Sequence, residues 1–85
     1  MGPTEVPDEF RPELMSRHAV REARRENIPI EMVGEAYDDP DERRASEHDE
    51  LREIRLRWFG AEGIAVVVDT DDGRVVTVWR RGRKP

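Results

Sequence analysis

Three stretches in the second half of the sequence constrain the fold most strongly, because each has the pattern of a β-strand. They are LREIRLRWF (51–59), IAVVVD (64–69) and RVVTVWRR (74–81). In the first stretch Ile54, Leu56 and Trp58 alternate with charged residues, which predicts a strand with one buried face. The second is nearly continuous in β-branched residues, as in a central strand. Glycine-containing turns separate the three, so the pattern predicts an antiparallel meander.

The third stretch predicts how its side chains divide between the two faces of the sheet. Strict alternation places Val76 and Val78 on one face. The same alternation places Val75, Thr77 and Trp79 together on the other face.

Two helices are predicted before the strands. The first runs from Pro12 or Ser16, either of which suits a helix start, to Asn27. Pro29 ends this helix and begins the second one, which closes before the Asp39-Pro40 pair. The residues expected to form the buried stripe of the second helix are Ile30, Val33, Ala36 and Tyr37.

These elements predict one α+β domain in which two N-terminal helices pack on a three- to four-stranded antiparallel sheet. A chain of 85 residues has room for a single core. Residues 1–13, with three prolines, are expected to form an extended arm whose Phe10 contacts the body. The domain spans 14–81, and 82–85 form a basic tail. Residues 41–50 have no large apolar residue, which favours a solvated loop or a strand lead-in.

Composition excludes several functional classes. The chain has no cysteine and two histidines, so we expect neither disulfides nor a metal site, and no cofactor. No apolar run is long enough for a membrane span, and a cytoplasmic protein is expected. The formal net charge is −5, which disfavours general nucleic-acid binding. The charge is uneven, however, at −8 over residues 1–50 and +3 over residues 51–85.

A set of short elements resembles a known family. The elements are the His18-Ala19 pair opening an arginine-rich helix, Ile-x-Ile-x-x-Val at 28–33, Asp39-Pro40, and VVVDTDDGRVVTVWR at 66–80. Over about residues 14–81 the chain is similar to small bacterial domains of uncharacterised function. These are grouped with the RelE/ParE/BrnT-like toxins and the barnase–EndoU–colicin–RelE class of ribonuclease folds. The resemblance implies helices on a curved antiparallel sheet, with the functional surface on its open face.

A first candidate site lies on helix 1. Metal-independent RNA cleavage needs proton-transfer groups and cations at the phosphate. His18 is the candidate acid or base, and Arg21 and Arg25 follow it at i+3 and i+7 on the same helix face. Glu22, at i+4, would orient the imidazole. The alternative is that this face is simply the solvated side of a weak helix.

A second candidate site lies on the strands. We expect Arg55 and Arg57 to lie on the face away from the helices, opposite Ile54, Leu56 and Trp58. A phosphate would then sit between Arg57, Thr77 and Arg80, with Thr77 positioning it. Trp79 shares the face of Thr77 and would stack on a base. The alternative is a solvated sheet face of ordinary arginines.

Together the sequence and the resemblance predict a toxin-like, metal-independent endoribonuclease of a bacterial toxin–antitoxin or conflict system. The expected partners are RNA or the ribosome and a cognate antitoxin or other protein, with no membrane. The alternative is a non-catalytic protein-binding or regulatory module on the same fold. An exposed edge strand would also allow a homodimer.

Overall fold

A four-stranded antiparallel meander follows two short helices, as predicted for the fold class. The structure is a computed structural model and describes residues 9–47 and 51–82. A short 3-10 helix precedes two α-helices and four strands in the sheet order β1-β2-β3-β4. These elements are Pro12–Leu14 (3-10), α1 Arg17–Arg25, α2 Ile30–Asp38, β1 Glu42–Ala45, β2 Arg52–Phe59, β3 Glu62–Asp69 and β4 Val75–Arg81. Most of the predicted arm and of the predicted tail lies outside the described residues.

The first helix begins at the second of the two predicted positions. The Ser16 hydroxyl accepts a hydrogen bond from the Ala19 N–H at 3.0 Å and donates one to the Val76 carbonyl at 2.9 Å. Ser16 therefore caps α1 and ties its start to β4. The helix ends at Arg25, two residues before the predicted end, because Asn27 adopts a positive φ of 55°.

The fourth strand of the sheet, β1, forms where the sequence favoured a loop or a strand lead-in. All four of its residues are exposed, so no apolar alternation marks it in the sequence. Backbone pairing with β2 defines it instead, with Glu42 opposite Leu56 and Arg44 opposite Ile54. The last three residues of the predicted loop, 48–50, lie outside the described part of the chain.

The core lies between the helices and one face of the sheet. Ile64, Val66 and Val68 of β3 are fully buried on this face, which we call the covered face. From the helices, the side chains of Ala19, Val33, Ala36 and Tyr37 pack into the same cluster. Ile30 was predicted to join them but is 41% exposed. It is the first residue of α2 and lies outside the contact made by the later turns.

A β-bulge changes the predicted division of β4. Val75 lies opposite Val68, but Thr77 lies opposite Val67, so Val76 is an extra residue in the strand. As a result Val75 and Val78 both enter the core. The prediction that Val75 shares a face with Thr77 and Trp79 was therefore wrong, because strict alternation does not continue through a bulge.

Phe10 packs on the body of the domain, as predicted. Its ring lies 5.6 Å from the Tyr37 ring, and its N–H donates to Asp38 Oδ1 at 2.7 Å. A side chain at Gly34 would place a Cβ 3.1 Å from the Phe10 ring. The glycine thus allows residues 9–11 to lie close against α2.

Candidate functional site: the open face of the sheet

Arg55 lies on the covered face, not on the face away from the helices. It is opposite Val66, a core residue. Its Nη1 donates to the Tyr37 carbonyl at 2.9 Å, and its guanidinium lies 4.6 Å from the centre of the Tyr37 ring. Its Nε donates to Glu53 at 2.7 Å. With 12% of its side chain exposed, Arg55 is committed to contacts within the domain.

Arg57 likewise turns towards the helices, contrary to the prediction. Its Nη1 donates to the Asp39 carbonyl at 2.7 Å and to Asp39 Oδ2 at 2.8 Å. Arg55 and Arg57 therefore both bind carbonyls at the C-terminal end of α2, where the helix concentrates negative partial charge. This helix end explains why charged residues of β2 face the covered side.

Arg80 performs the same task for α1. Its Nε donates to the Glu26 carbonyl at 3.0 Å and its Nη2 to the Asn27 carbonyl at 2.6 Å. It also forms a short ion pair with Glu62. Thr77 shares the other face of the sheet with Trp79, so Arg57, Thr77 and Arg80 do not enclose a common site. The predicted phosphate site between them is not assembled.

The candidate site residues of helix 1 lie close to one another on α1. They do not lie close to the candidate site residues of the strands. His18, Arg21 and Arg25 are all exposed on α1. Arg25 lies 3.8 Å from Glu22, an ion pair that is also consistent with the alternative of a solvated helix face. Arg80 binds the C-terminal end of α1, about 12 Å along the helix from His18 at 1.5 Å per residue. Thr77 faces the opposite side of the sheet from α1.

The second face of the sheet, which we call the open face, has no helix over it in the described structure. Its side chains are mostly apolar. They comprise Ile54, Leu56 and Trp58 of β2, Ala65 and Val67 of β3, and Thr77 and Trp79 of β4. Leu56, Ala65 and Val67 are at most 8% exposed on this face. Trp58 and Trp79, both half-buried, provide much of the remaining surface.

A polar rim surrounds this apolar centre. Glu42 and Arg44 of β1 and Arg81 of β4 line a shallow groove of about 90 Å³ over Leu56 and Ala65. The Trp58 indole N–H donates to Glu42 Oε2 at 3.4 Å, and Arg44 lies 3.8 Å from Glu42. An apolar centre with tryptophan and arginine at a polar rim is the composition of many protein–protein interfaces.

Gly63 helps to shape the open face. A Cβ at this position would lie 3.0 Å from Leu56 Cδ1 and 3.1 Å from the Trp58 ring. The absence of a side chain therefore lets the Trp58 ring lie close against β3.

The described residues offer no metal site and no buried acid or base in a cleft. No group of three or more His, Cys, Asp or Glu residues lies close enough to hold a metal ion in residues 9–47 and 51–82. Burial raises the pKa of Tyr37 above its usual value, while the nearby Arg55 opposes the shift. The Tyr37 hydroxyl donates to the Gly73 carbonyl at 2.7 Å inside the core. Its contacts are those of a structural residue.

Comparison with known proteins identifies no relative of this chain. No protein-family model, no curated protein and no solved structure matches the chain. Within the described residues, neither helix has the length and apolar character needed to cross a membrane.

Proposed function

We propose that this chain is a protein-binding module that docks a partner on the open face of its sheet. The observation that carries the proposal is that each face of the sheet holds residues of β2 expected on the other. The arginines expected to bind phosphate are bound to helix ends, whereas both tryptophans lie on the face without a helix. Tryptophan in a partly covered apolar centre is the residue most often dominant in binding energy.

The rim defines the chemistry of the partner. Arg44 forms an ion pair with Glu42, whereas Arg81 is exposed and has no ion pair among the described residues. A protein surface that presents apolar side chains to Trp79 and a carboxylate to Arg81 would complement this face. We therefore expect a protein partner with an apolar patch bordered by acids.

Site-specific cross-linking tests the proposal directly. A photo-reactive amino acid replaces Trp79 in one variant and Arg25 in a second, and both are irradiated in the cells that make the protein. Arg25 is the control because its side chain is 73% exposed and lies on α1, on the other side of the sheet. We expect one protein to cross-link at position 79 and not at position 25.

The captured protein then permits a binding measurement with purified components. Trp79→Ala should weaken the affinity by at least about tenfold, since interface tryptophans commonly contribute 2 kcal/mol or more (~30-fold). Arg25→Ala should leave the affinity unchanged. Equal cross-linking at both positions, or equal affinity of the Trp79→Ala variant, would contradict the proposal.

A toxin-like endoribonuclease is the second candidate, and one observation favours it. His18, Arg21 and Arg25 are exposed on one helix surface, so an RNA phosphate would reach an imidazole and two guanidiniums together. In this proposal His18 acts as the acid or base and the arginines bind the phosphate.

The ribonuclease candidate is tested with purified chain, cellular RNA and ribosomes in EDTA. Products with 2′,3′-cyclic phosphates from the wild type, but not from folded His18→Ala, would support it. No cleavage by either protein would eliminate it and leave the binding module as the function.

A further inference from the structure

A groove on the helical side of the molecule has an apolar floor. Met15, Ala23 and Ile28 are at most 8% exposed and form its base. Val20 and Ile30 line the groove above them, and Ile30 is one of two large apolar residues that are exposed in the described structure. The cavity has a volume of about 260 Å³, which is larger than the groove on the open face.

Three arginines line an adjoining cavity, which shares Met15, Val20 and Arg24 with the first, so that the two cavities form one groove. Arg17, Arg21 and Arg24 line it beside Val20, and their spacing of four and three residues places them in one row on α1. All three are exposed, and none has an ion pair within residues 9–47 and 51–82. The row is therefore a local concentration of three unpaired positive charges on a chain of net charge −5.

Helix stability does not account for this row. Like charges at i and i+4 destabilise a helix, and a cation in the first turn opposes the helix dipole. Arg17 is the first residue of α1, and the first turn contains no acid. Arg25, outside the groove, is paired with Glu22 in the ordinary way. Arg17 and Arg21 thus cost α1 stability without a compensating contact inside the described domain, whereas Arg24 lies in the last turn, where the helix dipole favours a cation.

We infer that this groove binds an acidic amphipathic helix of a partner protein. Apolar side chains of the incoming helix would pack on Val20, Ile28 and Ile30. Carboxylates on its flank would meet the guanidiniums of Arg17, Arg21 and Arg24. The row extends about 10 Å along α1, or two helical turns, which matches apolar anchors at i, i+3, i+4 and i+7 of the partner.

The groove suits a protein helix better than it suits RNA or an added β-strand. RNA would bind the arginines but would leave the apolar floor unused. An added strand would require a free strand edge, whereas helical segments line this groove. The inference concerns a second surface, distinct from the open face, and does not depend on the tryptophans.

The test uses two synthetic helical peptides as probes. Both carry leucine at the anchor positions, and one has glutamate on the flank where the other has lysine. We expect the glutamate peptide to bind the full chain at least about tenfold more tightly than the lysine peptide, a difference of ~1.4 kcal/mol. Its affinity should fall as salt concentration rises, because exposed charge pairs are screened.

Two matched charge-reversal variants test whether the peptide binds in the groove. Arg21→Glu should weaken the glutamate peptide by at least about tenfold, whereas Arg25→Glu makes the same charge change outside the groove and should leave its affinity within about twofold. Ile30→Ser should also weaken it, and circular dichroism checks that each variant is folded. Trp79→Ala should have no effect, which separates this inference from the proposed function.

Three results with the peptides would overturn the inference. The first is equal binding of the two peptides, the second is equal loss in the Arg21→Glu and Arg25→Glu variants, and the third is no binding of the glutamate peptide. A single-stranded RNA that binds through Arg21 while neither peptide does would also overturn it and assign the row to nucleic acid.

Discussion

The covered face of the sheet holds three arginines whose guanidiniums bind helix ends, whereas the open face holds both tryptophans. A sheet with one helix layer usually places its most apolar face under the helices and its charged residues towards water. Here β2 does the reverse, because Arg55 and Arg57 supply donors to the carbonyls that end α2. The cost is that Ile54, Leu56 and Trp58 face the side without helices. That unbalanced distribution is the basis on which we propose the open face as a binding surface.

The largest expected difference in unfolding free energy between the two faces comes from substitutions at two neighbouring valines of β3. Val66 is fully buried under the helices and Val67 is 8% exposed on the open face. Val66→Ala should lower the free energy of unfolding by about 2–3 kcal/mol, because it removes two methyl groups and leaves a cavity in the main core. Val67→Ala should cost ~1 kcal/mol, because no helix of the described structure packs on that side. Urea denaturation measures both, and equal losses would contradict the distinction.

A pair of arginine substitutions should show the next largest difference. Arg55→Ala removes a hydrogen bond to the Tyr37 carbonyl, the contact with the Tyr37 ring and the ion pair with Glu53. We expect a loss of about 2 kcal/mol in unfolding free energy. Arg44→Ala, on the exposed rim of the open face, should change it by less than ~0.5 kcal/mol. A free, phosphate-binding Arg55 would instead behave like Arg44.

The Tyr37 hydroxyl should contribute a smaller and pH-dependent amount. Tyr37→Phe leaves the Gly73 carbonyl without its donor and should cost about 1–2 kcal/mol. Burial raises the pKa of Tyr37 in the folded state above its usual value of 10.0. The folded protein therefore holds this proton more tightly than the unfolded chain. The stabilisation is fully present below the unfolded pKa and is lost as the pH rises through the folded pKa.

Denaturation at a series of alkaline pH values measures that loss. The wild type should lose stability above about pH 10 more steeply than Tyr37→Phe. Because Tyr37 is the only tyrosine in the chain, tyrosinate absorbance follows its ionisation without interference from another residue. Parallel losses in the two proteins would contradict the coupling between burial and pKa.

Trp79→Ala on the open face should affect binding more than stability. Trp79→Ala removes a half-buried ring and should lower the unfolding free energy by no more than ~1.5 kcal/mol. The same change should remove most of the affinity for the partner. A loss as large as that of Val66→Ala would instead make Trp79 a core residue.

The sequence was sufficient for the order of elements and for which residues share a face of β2. Ile54, Leu56 and Trp58 do lie together, and Thr77 does share a face with Trp79. Alternation does not reveal which of the two faces the helices cover, because Ile64 to Val68 is apolar on both sides. The deciding contacts join β2 to the end of α2, about 18 residues away in sequence.

Three further features lay beyond sequence patterns. The exposed strand β1 is held by backbone pairing with β2 and has no apolar period to detect. The bulge at Val76 depends on the pairing with β3, so strict alternation assigned Val75 to the wrong face. Arg80 was expected to bind phosphate, and its position beside the end of α1 follows only from the packed structure.

Tryptophan fluorescence measures the central claim most directly, because both tryptophans of the chain lie on the open face. The purified chain is titrated with the protein captured at position 79, while emission and quenching by acrylamide are followed. If the partner covers the open face, the emission shifts to shorter wavelength and quenching decreases, and Arg25→Ala behaves like the wild type. Binding detected by calorimetry with unchanged emission and quenching would place the partner elsewhere and contradict the account.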